Sequence, residues 1–354
     1  MSSFRPFTIN KIRLLVNYYL SLLFYKSKIM SSLYYALFSR SFHREHQAVL
    51  EGKIKHIRDI YWNKNNYYLV IRNIHRIEKG LLMRPRKEIF GKNYIKETID
   101  CYEKIILSHH ENLNDQVKWF HDVLDMYFNV VGYDEVIDRE KQRFLNLQNT
   151  YKTDTENRKK HIPYNRLLKE KNLVSLDSFF ALSKQRRSVR WFTEEKVPRK
   201  LIDKCIEVAS QSPSACNRQP FTFYIIDDKN ILNKVVDLPM GTTGYAHNIP
   251  VFIVVVGNLN AYFDERDRHL IYIDASLASM SFMLALETTG LSSCPINWPD
   301  IEKREMKLQK VLNLNNYQRP IMCMAVGYPD PKGLVASSEK KSLDKIRIYY
   351  PEDL

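Results

Sequence analysis

Apolar residues recur at helical spacing through much of the first half of the chain. Between residues 45 and 150 they return every three or four positions, which is typical of amphipathic helices with one buried face. One set is Ile95, Ile99, Tyr102 and Ile106, and another is Val117, Phe120, Val123, Leu124, Tyr127 and Phe128. Each set is predicted to face a core.

A polar cluster interrupts this region upstream of both sets. Residues 75–81 (HRIEKGL) are followed by residues 84–87 (RPRK), and Gly80 and Pro85 are typical of a helix end and a loop. Charged side chains in such a position usually face water, so a capped helix terminus is the simpler interpretation. A functional role for the cluster is the alternative.

The second half of the chain alternates between helix and strand patterns. Pro198 suits a first helical turn, and an apolar face follows before Pro213 ends the helix. The residues of that face are Leu201, Ile202, Cys205, Ile206, Val208 and Ala209. Strands are predicted at residues 221–226, 250–256 and 320–327, the second of them apolar throughout and therefore buried on both faces. A long helix is predicted at residues 271–289 with Gly290 as its C-cap, and the resulting fold class is α+β.

Composition divides the chain into three parts. Residues 150–172 are polar and are predicted to be a linker, with Lys152, Asp154 and Arg158 among them. The predicted parts are a basic amphipathic segment at 1–44, a helical extension and linker at 45–170, and an α+β domain at 171–354.

The N-terminal segment raises the question of a membrane. Residues 1–44 contain seven Lys or Arg and no acidic residue, around the apolar run 14–25. That run is shorter than the roughly 20 apolar residues that span a bilayer. Two interpretations remain open, an interfacial helix on anionic lipid and a helix packed on its own protein or on a partner. Likewise, Asp274 and Glu287 interrupt residues 271–289 and argue against a membrane span there.

Charge and cysteine usage limit the functional classes. The chain has 354 residues and a formal charge of +14, which favours anionic partners such as nucleotides, nucleic acids or acidic lipids. Its five cysteines have no paired spacing, which indicates a reducing compartment and predicts a cytoplasmic location, with peripheral contact at the inner face of the membrane as an option. No zinc or hydrolase motif occurs, and His43 and His46 lie in a basic segment, so no metal site is predicted.

Two stretches carry candidate chemistry. Residues 186–192 (RRSVRWF) place three arginines and a hydroxyl close together, and planar guanidinium groups and hydroxyls suit a phosphate. Residues 212–221 (SPSACNRQPF) form a loop of small and amide side chains that can lie against a flat heterocycle. Together they favour a phosphorylated aromatic cofactor.

In this order and spacing the two stretches resemble the FMN-dependent nitroreductase family. The resemblance continues after the long helix, where residues 291–297 (LSSCPIN) match the family's loop beneath the flavin ring, and in residues 326–329 (VGYP), which match its closing strand and turn. It covers roughly residues 176–348. It implies a flavin site shared between the two subunits of a homodimer. Residues 1–170 have no counterpart in the compact family core.

The resemblance also implies a role for each matching position. Arg186, Arg187 and Ser188 match residues that hold the FMN phosphate, and Arg190 matches a cation near the pyrimidine edge of the flavin. The loop that reaches the flavin from the other subunit corresponds to Pro213, Ser214, Ala215 and Asn217, supported by Gln219. Pro295, Ile296 and Asn297 match the segment against the isoalloxazine ring, and either Lys340 or Lys341 completes the phosphate site. Trp298 departs from the family, where a small residue is common, so it either narrows the substrate space or points away.

The implied activity is electron transfer from NADH or NADPH through bound FMN to an organic acceptor. No Gly-x-Gly-x-x-Gly motif occurs, in keeping with a pyridine nucleotide that lies directly over the flavin. The flavin does the redox chemistry, so no catalytic side chain is named. Tyr245, His247 and Asn248 either contact an acceptor or pack a surface loop.

Two other classes of function remain. The first is a flavin-binding or scaffold protein without turnover, for which Trp298 and the long extension are the grounds, membrane-associated and linked to polysaccharide assembly. Residues 75–80 resemble a motif of longer family members found beside polysaccharide-assembly genes, which hints at a biosynthetic role. The second is nucleic-acid binding, which rests on the net charge alone and lacks an aromatic platform or helix-turn-helix pattern, so no nucleic acid is expected.

Overall fold

The computed structural model describes residues 5–107, 114–148, 159–165 and 174–350. Most of the predicted linker at 150–172 therefore lies outside the described residues, including Lys152, Asp154 and Arg158. The predicted division into three parts stays a prediction.

The N-terminal half is helical, as its apolar spacing predicts. Its helices are α1 (Arg5–Phe24), α2 (Lys28–Leu37), α3 (His43–Tyr61), α4 (Tyr67–Leu82), α5 (Lys92–Leu107), α6 (Asn114–Val130) and α7 (Glu135–Gln148). Helices α4 to α7 share one core, and every member of the two predicted apolar sets is buried in it. Helix α4 ends at Leu82, so the helix end predicted near Gly80 is confirmed.

The C-terminal half contains helices around one small sheet. The helices are α8 (Leu176–Gln185), α9 (Arg199–Ser210), α10 (Lys229–Val235), α11 (Leu270–Glu287) and α12 (Glu302–Leu312). The strands are β1 (Phe221–Ile226), β2 (Val251–Asn258), β3 (Ser292–Asn297) and β4 (Gln318–Gly327). The predicted α+β class is confirmed.

The sheet is antiparallel in the order β1, β2, β4, β3. Every residue of β2 is buried, as its uninterrupted apolar run predicts, because helices cover both faces of the sheet. Phe221 pairs with Gly257 at one end of the sheet, and Ile226 pairs with Phe252 towards the other.

Three sequence predictions need correction. Residues 292–297 are the edge strand β3 and not a loop, since β4 supplies the hydrogen-bonding partner that the local pattern does not reveal. Val208 is 50% exposed and does not belong to the buried face of α9. Pro198 is the N-cap of α9, one position before the first helical turn.

Helix α3 joins the N-terminal helices to the C-terminal half. A Cβ on Gly52 would lie 2.8 Å from the backbone carbon of Leu259, so glycine permits this close approach. Nearby, Arg44 and Arg319 lie 3.5 and 3.0 Å from the buried carboxylate of Glu305. The N-terminal helices are therefore packed against the C-terminal half through apolar and ionic contacts.

The same junction predicts a pH-dependent stability. His56 on α3 is 1% exposed, and its Nδ1 lies 2.8 Å from the carbonyl oxygen of Asn260. Burial, and to a smaller extent the charges of Arg72 and Arg218, lower the pKa of His56 from 6.5 to about 4, against the opposing effects of the Asn260 hydrogen bond and Asp59. The folded protein therefore keeps the imidazole neutral. Its contribution to stability is complete above the ordinary pKa and is lost as the pH falls from 6.5 towards 4.

We expect the free energy of unfolding to fall by roughly 3 kcal/mol from this residue as the pH is lowered through that window. Urea unfolding at several pH values measures the fall, and the His56→Gln variant should show a flatter profile. A variant with the same pH dependence as the parent would contradict this role of His56. His269→Gln, on an exposed side chain, is the matched control.

Helices α1 and α2 form a hairpin whose apolar side chains stay largely in solvent. The rings of Phe24 and Tyr34 lie 5.7 Å apart, which holds the two helices together. None of the α2 residues is buried. The exposed set comprises Leu15, Val16, Tyr18, Tyr19, Leu22, Leu23, Ile29, Met30, Leu33, Tyr35, Leu37 and Phe38.

Within the described parts of the chain, one helical stretch is long and apolar enough to cross a membrane, Glu265–Glu287. Half of its apolar window is buried inside the fold. Helix α11 within it packs on β2 and α9, which favours a core helix, as Asp274 and Glu287 suggested.

Candidate functional site

The arginine stretch is fixed to the edge of the sheet. Arg186 is the C-cap of α8, and its backbone N–H donates to the carbonyl of Leu182 at 3.0 Å. Ser188 forms a parallel bridge with Ser293 of β3, and the N–H of Val189 donates to the Ser293 carbonyl at 3.1 Å. The stretch therefore continues the sheet beyond β3 with irregular backbone.

Two buried donors at this edge have no partner among the described residues. They are Nε of Arg186 and Oγ of Ser293, the bridge partner of Ser188. A buried polar group without a hydrogen bond costs about 1–3 kcal/mol, so such a pair is typical of a binding site. Phosphate oxygens would accept from both donors, so the residues present fit the phosphate of FMN.

An acidic side chain lies close to this candidate phosphate site. Glu287 at the end of α11 is buried, and burial raises the pKa of its carboxyl group, which Ser292 and Arg186 oppose. A raised pKa favours the neutral form of the carboxyl group.

Arg190 is held by residues of the turn before β2. Its carbonyl accepts from the side-chain amide of Asn248 at 2.7 Å, and Asn248 Oδ1 accepts from the N–H of Phe192 at 3.2 Å. The guanidinium group lies 5.9 Å from the ring centre of Tyr245. Tyr245 is buried, with its hydroxyl 3.7 Å from Sγ of Cys294. Burial, and then Cys294, raise the pKa of Tyr245, so it stays neutral.

Tyr245 and Asn248 are therefore positioning residues for Arg190. The sequence left open whether these residues contact an acceptor or pack a surface loop. For Tyr245 and Asn248 the contacts favour packing. His247 is exposed, with its ring 6.0 Å from that of Trp191.

Strand β3 extends from the candidate phosphate site towards the residues predicted to contact the isoalloxazine ring. Asn297 lies four positions after Ser293, a distance of roughly 13 Å in a strand. Ile296 is buried and touches the turn at Gly241, whereas Asn297 is exposed. Such an edge suits an elongated ligand with its phosphate at one end. Trp298 is 7% exposed and packs in the core, so it points away from open space and does not narrow it.

The loop of residues 212–221, the amide loop, has an unusual backbone. Cys216, Asn217 and Gln219 have φ angles of +53°, +54° and +49°, which L residues seldom adopt. Hydrogen bonds hold the loop in this conformation: Asp274 accepts from the N–H of Ala215 at 3.0 Å, and Ser214 Oγ accepts from the N–H of Gln219 at 3.0 Å. The side-chain amide of Gln219 donates to the carbonyl of Asn217 at 3.2 Å, which supports the predicted role of Gln219.

Within one chain the arginine stretch and the amide loop, the two parts of the candidate cofactor site, lie at opposite corners of the sheet. The amide loop precedes Phe221, at the β1 edge and at the end where Gly257 meets Arg319. Ser188 lies outside β3, beside Ser293, near the other end. Four strand spacings separate β1 from the Ser188 stretch outside β3, roughly 19 Å. One chain therefore brings Arg186, Ser188 and β3 together, but not the amide loop.

An exposed apolar stripe lies beside the amide loop. Ile273, Leu277 and Met280 recur on one face of α11 and are 48%, 44% and 41% exposed. Ser212 at the base of the loop bonds to Ser281 of the same helix at 2.9 Å. Such a stripe marks an interaction surface.

The late lysines stay a prediction. Lys340 and Lys341 are exposed and lie on the irregular segment that follows β4.

Sequence reasoning missed two residues of the site. Ser293 lay in a matched motif but was read as part of a loop, so its pairing with Ser188 was not expected. Asp274 was noted only as a polar interruption of α11, although an acid inside an apolar helix signals a buried hydrogen-bonding role.

Part of the chain matches a known protein family. Residues 183–243 and 241–328 match the Nitroreductase family. The chain is similar to iodotyrosine deiodinase 1 of Homo sapiens, with 25% identity over 228 residues, covering 55% of this chain and 77% of that protein.

It is also similar to a Methanothermobacter thermautotrophicus protein named as an NADH dehydrogenase/NAD(P)H nitroreductase, with 27% identity over 147 residues, 41% of this chain and 74% of that protein. Among solved structures, an FMN-dependent nitroreductase from Clostridium difficile is 21% identical, with 48% of this chain and 98% of that chain covered and a TM-score of 0.41.

Proposed function

Because residues 183–328 place this chain in the nitroreductase family, as a member with additional N-terminal helices, we propose that it is an FMN-dependent oxidoreductase that passes electrons from NADH or NADPH to an organic acceptor. The observation that carries the proposal is the pair of unpartnered buried donors, Arg186 Nε and Ser293 Oγ, beside Ser188. FMN, when bound, supplies two-electron redox chemistry.

The chain's own residues bind and orient the cofactor. Arg186, Arg187 and Ser188 hold the phosphate, and Pro295, Ile296 and Asn297 line the ring along β3. Arg190, fixed by Asn248 and Tyr245, places positive charge where the reduced cofactor becomes anionic. Lys340 or Lys341 adds a further cation to the phosphate.

We propose that the active form is a homodimer. The opposite corners of the sheet support this, because Pro213, Ser214, Ala215 and Asn217 cannot reach the cofactor that Arg186 of the same chain holds. The exposed stripe on α11 supplies an apolar surface beside that loop. A C2 arrangement would create two equivalent sites.

The first candidates for the acceptor are a nitroaromatic, a quinone and a biosynthetic intermediate. Halogenated phenols are a further candidate, because several of the similar proteins are named iodotyrosine deiodinases. A cofactor spectrum followed by an acceptor screen decides among these classes.

The purified protein is expected to be yellow, to release FMN on denaturation and to be bleached by NADH or NADPH under anaerobic conditions. The screen then uses one nitroaromatic, one quinone and iodotyrosine as oxidants of the bleached protein. Colourless protein that FMN cannot reconstitute would contradict the proposal. The scaffold alternative would be favoured if the protein binds FMN but the bound FMN, treated with pyridine nucleotide or dithionite, transfers electrons to none of the acceptors.

We also propose that the α1–α2 hairpin contacts an anionic membrane surface from the cytoplasmic side. Its exposed aromatic and leucine side chains suit the headgroup region, and residues 1–44 add seven cations without an acid. The protein should float with vesicles that contain phosphatidylglycerol and not with neutral phosphatidylcholine vesicles, and Leu23→Glu should reduce flotation. Recovery with neither vesicle would argue against membrane contact, and equal recovery with both would argue against a contact that depends on anionic lipid.

A further inference from the structure

Helix α4 of the N-terminal region lies directly against the amide loop. It packs on the short helical turn Ala215–Asn217, although about 140 residues of sequence separate them. Helix α4 lies outside the stretch that matches the family, residues 183–328. The N-terminal helices therefore add a wall beside a predicted cofactor contact.

The wall is cationic where it meets the loop. Arg72 of α4 is largely buried, with its side chain 15% exposed and its Nη2 donating to Glu97 at 3.2 Å. Its guanidinium group lies 5.7 Å from the ring centre of Phe263. Burial lowers the pKa of Arg72, Glu97 opposes this, and the charges of Arg218 and Arg76 lower it further.

Arg218 brings a second cation from the loop itself. It is 5% exposed, its Nη1 donates to the carbonyl of Ala215 at 3.3 Å, and its guanidinium group lies 4.9 Å from the Tyr262 ring centre. Its Nε is buried without a partner among the described residues. The neighbouring carboxylate of Asp274 already accepts from the Ala215 N–H.

Arg76 is the solvent-exposed arginine of the cluster. It lies one helical turn after Arg72, so both side chains share a face of α4. Arg76 is exposed, and its guanidinium group lies 3.7 Å from the ring centre of Tyr94, which orients it. The carboxylates of Glu97 and Asp274 offset two of the three arginine charges, so the cluster stays positive.

We propose that Arg72, Arg76 and Arg218 form an anion-recognition wall that selects an electron acceptor bearing a carboxylate, sulfonate or phosphate group. The inference rests on the proposed function, because the amide loop must contact a cofactor for a neighbouring wall to contact the acceptor. An acceptor over the ring would extend past Asn217 towards α4. Planar guanidinium groups donate two parallel hydrogen bonds to such anionic groups, which gives selectivity as well as attraction.

The test compares two quinones that differ in one charged group, 1,4-naphthoquinone and its 2-sulfonate, in steady-state turnover with NADH or NADPH. The readout is the ratio of kcat/KM for the sulfonate to that for the neutral quinone. Arg76→Gln is expected to lower this ratio about tenfold, since it removes a charged hydrogen-bond donor at an exposed position. Arg72→Gln should lower it in the same direction, and raising the salt concentration should lower it in the parent.

Arg139→Gln is the matched control, since Arg139 is an exposed arginine on α7, which packs on α5. It should leave the ratio unchanged. The inference is overturned if FMN is bound and reduced but the ratio in Arg76→Gln and Arg72→Gln equals that of the parent. It is equally overturned if both quinones lose the same factor, because that result indicates a structural role. A parent protein that binds no FMN overturns the proposed function itself, and the inference with it.

Discussion

The Arg186→Ala variant is expected to bind FMN about thirtyfold more weakly than the parent, a loss of roughly 2 kcal/mol. Arg186 Nε is buried without a partner at the edge of β3, and a phosphate would satisfy it. Alanine removes a charge-assisted bond, and the phosphate then depends on Arg187, Ser188 and the Ser293 hydroxyl. Titration of the apoprotein with FMN, followed by flavin fluorescence quenching, measures the change.

Arg199→Ala is the matched control for this prediction. Arg199 is an exposed arginine of the same half, and its guanidinium group pairs with Asp227 at 2.7 Å. Its loss should change FMN affinity little, since exposed ion pairs contribute only about 0–1 kcal/mol to stability. Equal FMN affinity in the parent and Arg186→Ala would place the phosphate elsewhere.

The Leu277→Glu variant is expected to be monomeric and to lose both its flavin and its turnover. Leu277 is at the centre of the exposed stripe on α11, beside the amide loop. A carboxylate buried in a dimer interface without a partner costs several kcal/mol, so the dimer dissociation constant should rise by about a thousandfold or more. Light scattering after size-exclusion chromatography gives the mass, and the flavin absorbance of the same peak gives the cofactor content.

Met306→Glu provides the comparison on another helix. Met306 is 57% exposed on α12, which lies away from the stripe and follows β3 in the chain. It should remain dimeric and yellow. A yellow monomer of Leu277→Glu would show that one chain suffices to bind the flavin, contrary to the account.

The sequence predicted the regular elements well where burial alone determines them. Residues 221–226 form β1 with the predicted bounds, and the apolar residues 251–256 lie within the buried strand β2. In α6 the apolar spacing placed Phe120 and Tyr127 in a core, and both are fully buried. These features depend on local periodicity, which a single sequence contains.

Features that depend on long-range pairing were beyond the sequence. Residues 292–297 (SSCPIN) contain two serines and a proline, which disfavour a strand, and only the pairing with β4 makes them one. The arginine and amide stretches were identified from their motifs, but their separation to opposite corners follows from strand order. Nor does any local pattern indicate that Arg72 lies near Arg218, because 146 positions separate them in the chain.

The most direct test of the shared site is complementation between two defective subunits. Arg186→Ala damages the phosphate half and Asn217→Ala damages the amide half, so each homodimer should have little turnover. A heterodimer of the two, co-expressed with different affinity tags and purified through both, contains one site with both halves intact. This heterodimer is expected to recover about half of the parental flavin content and turnover. A heterodimer no more active than the mean of the two variant homodimers would contradict it.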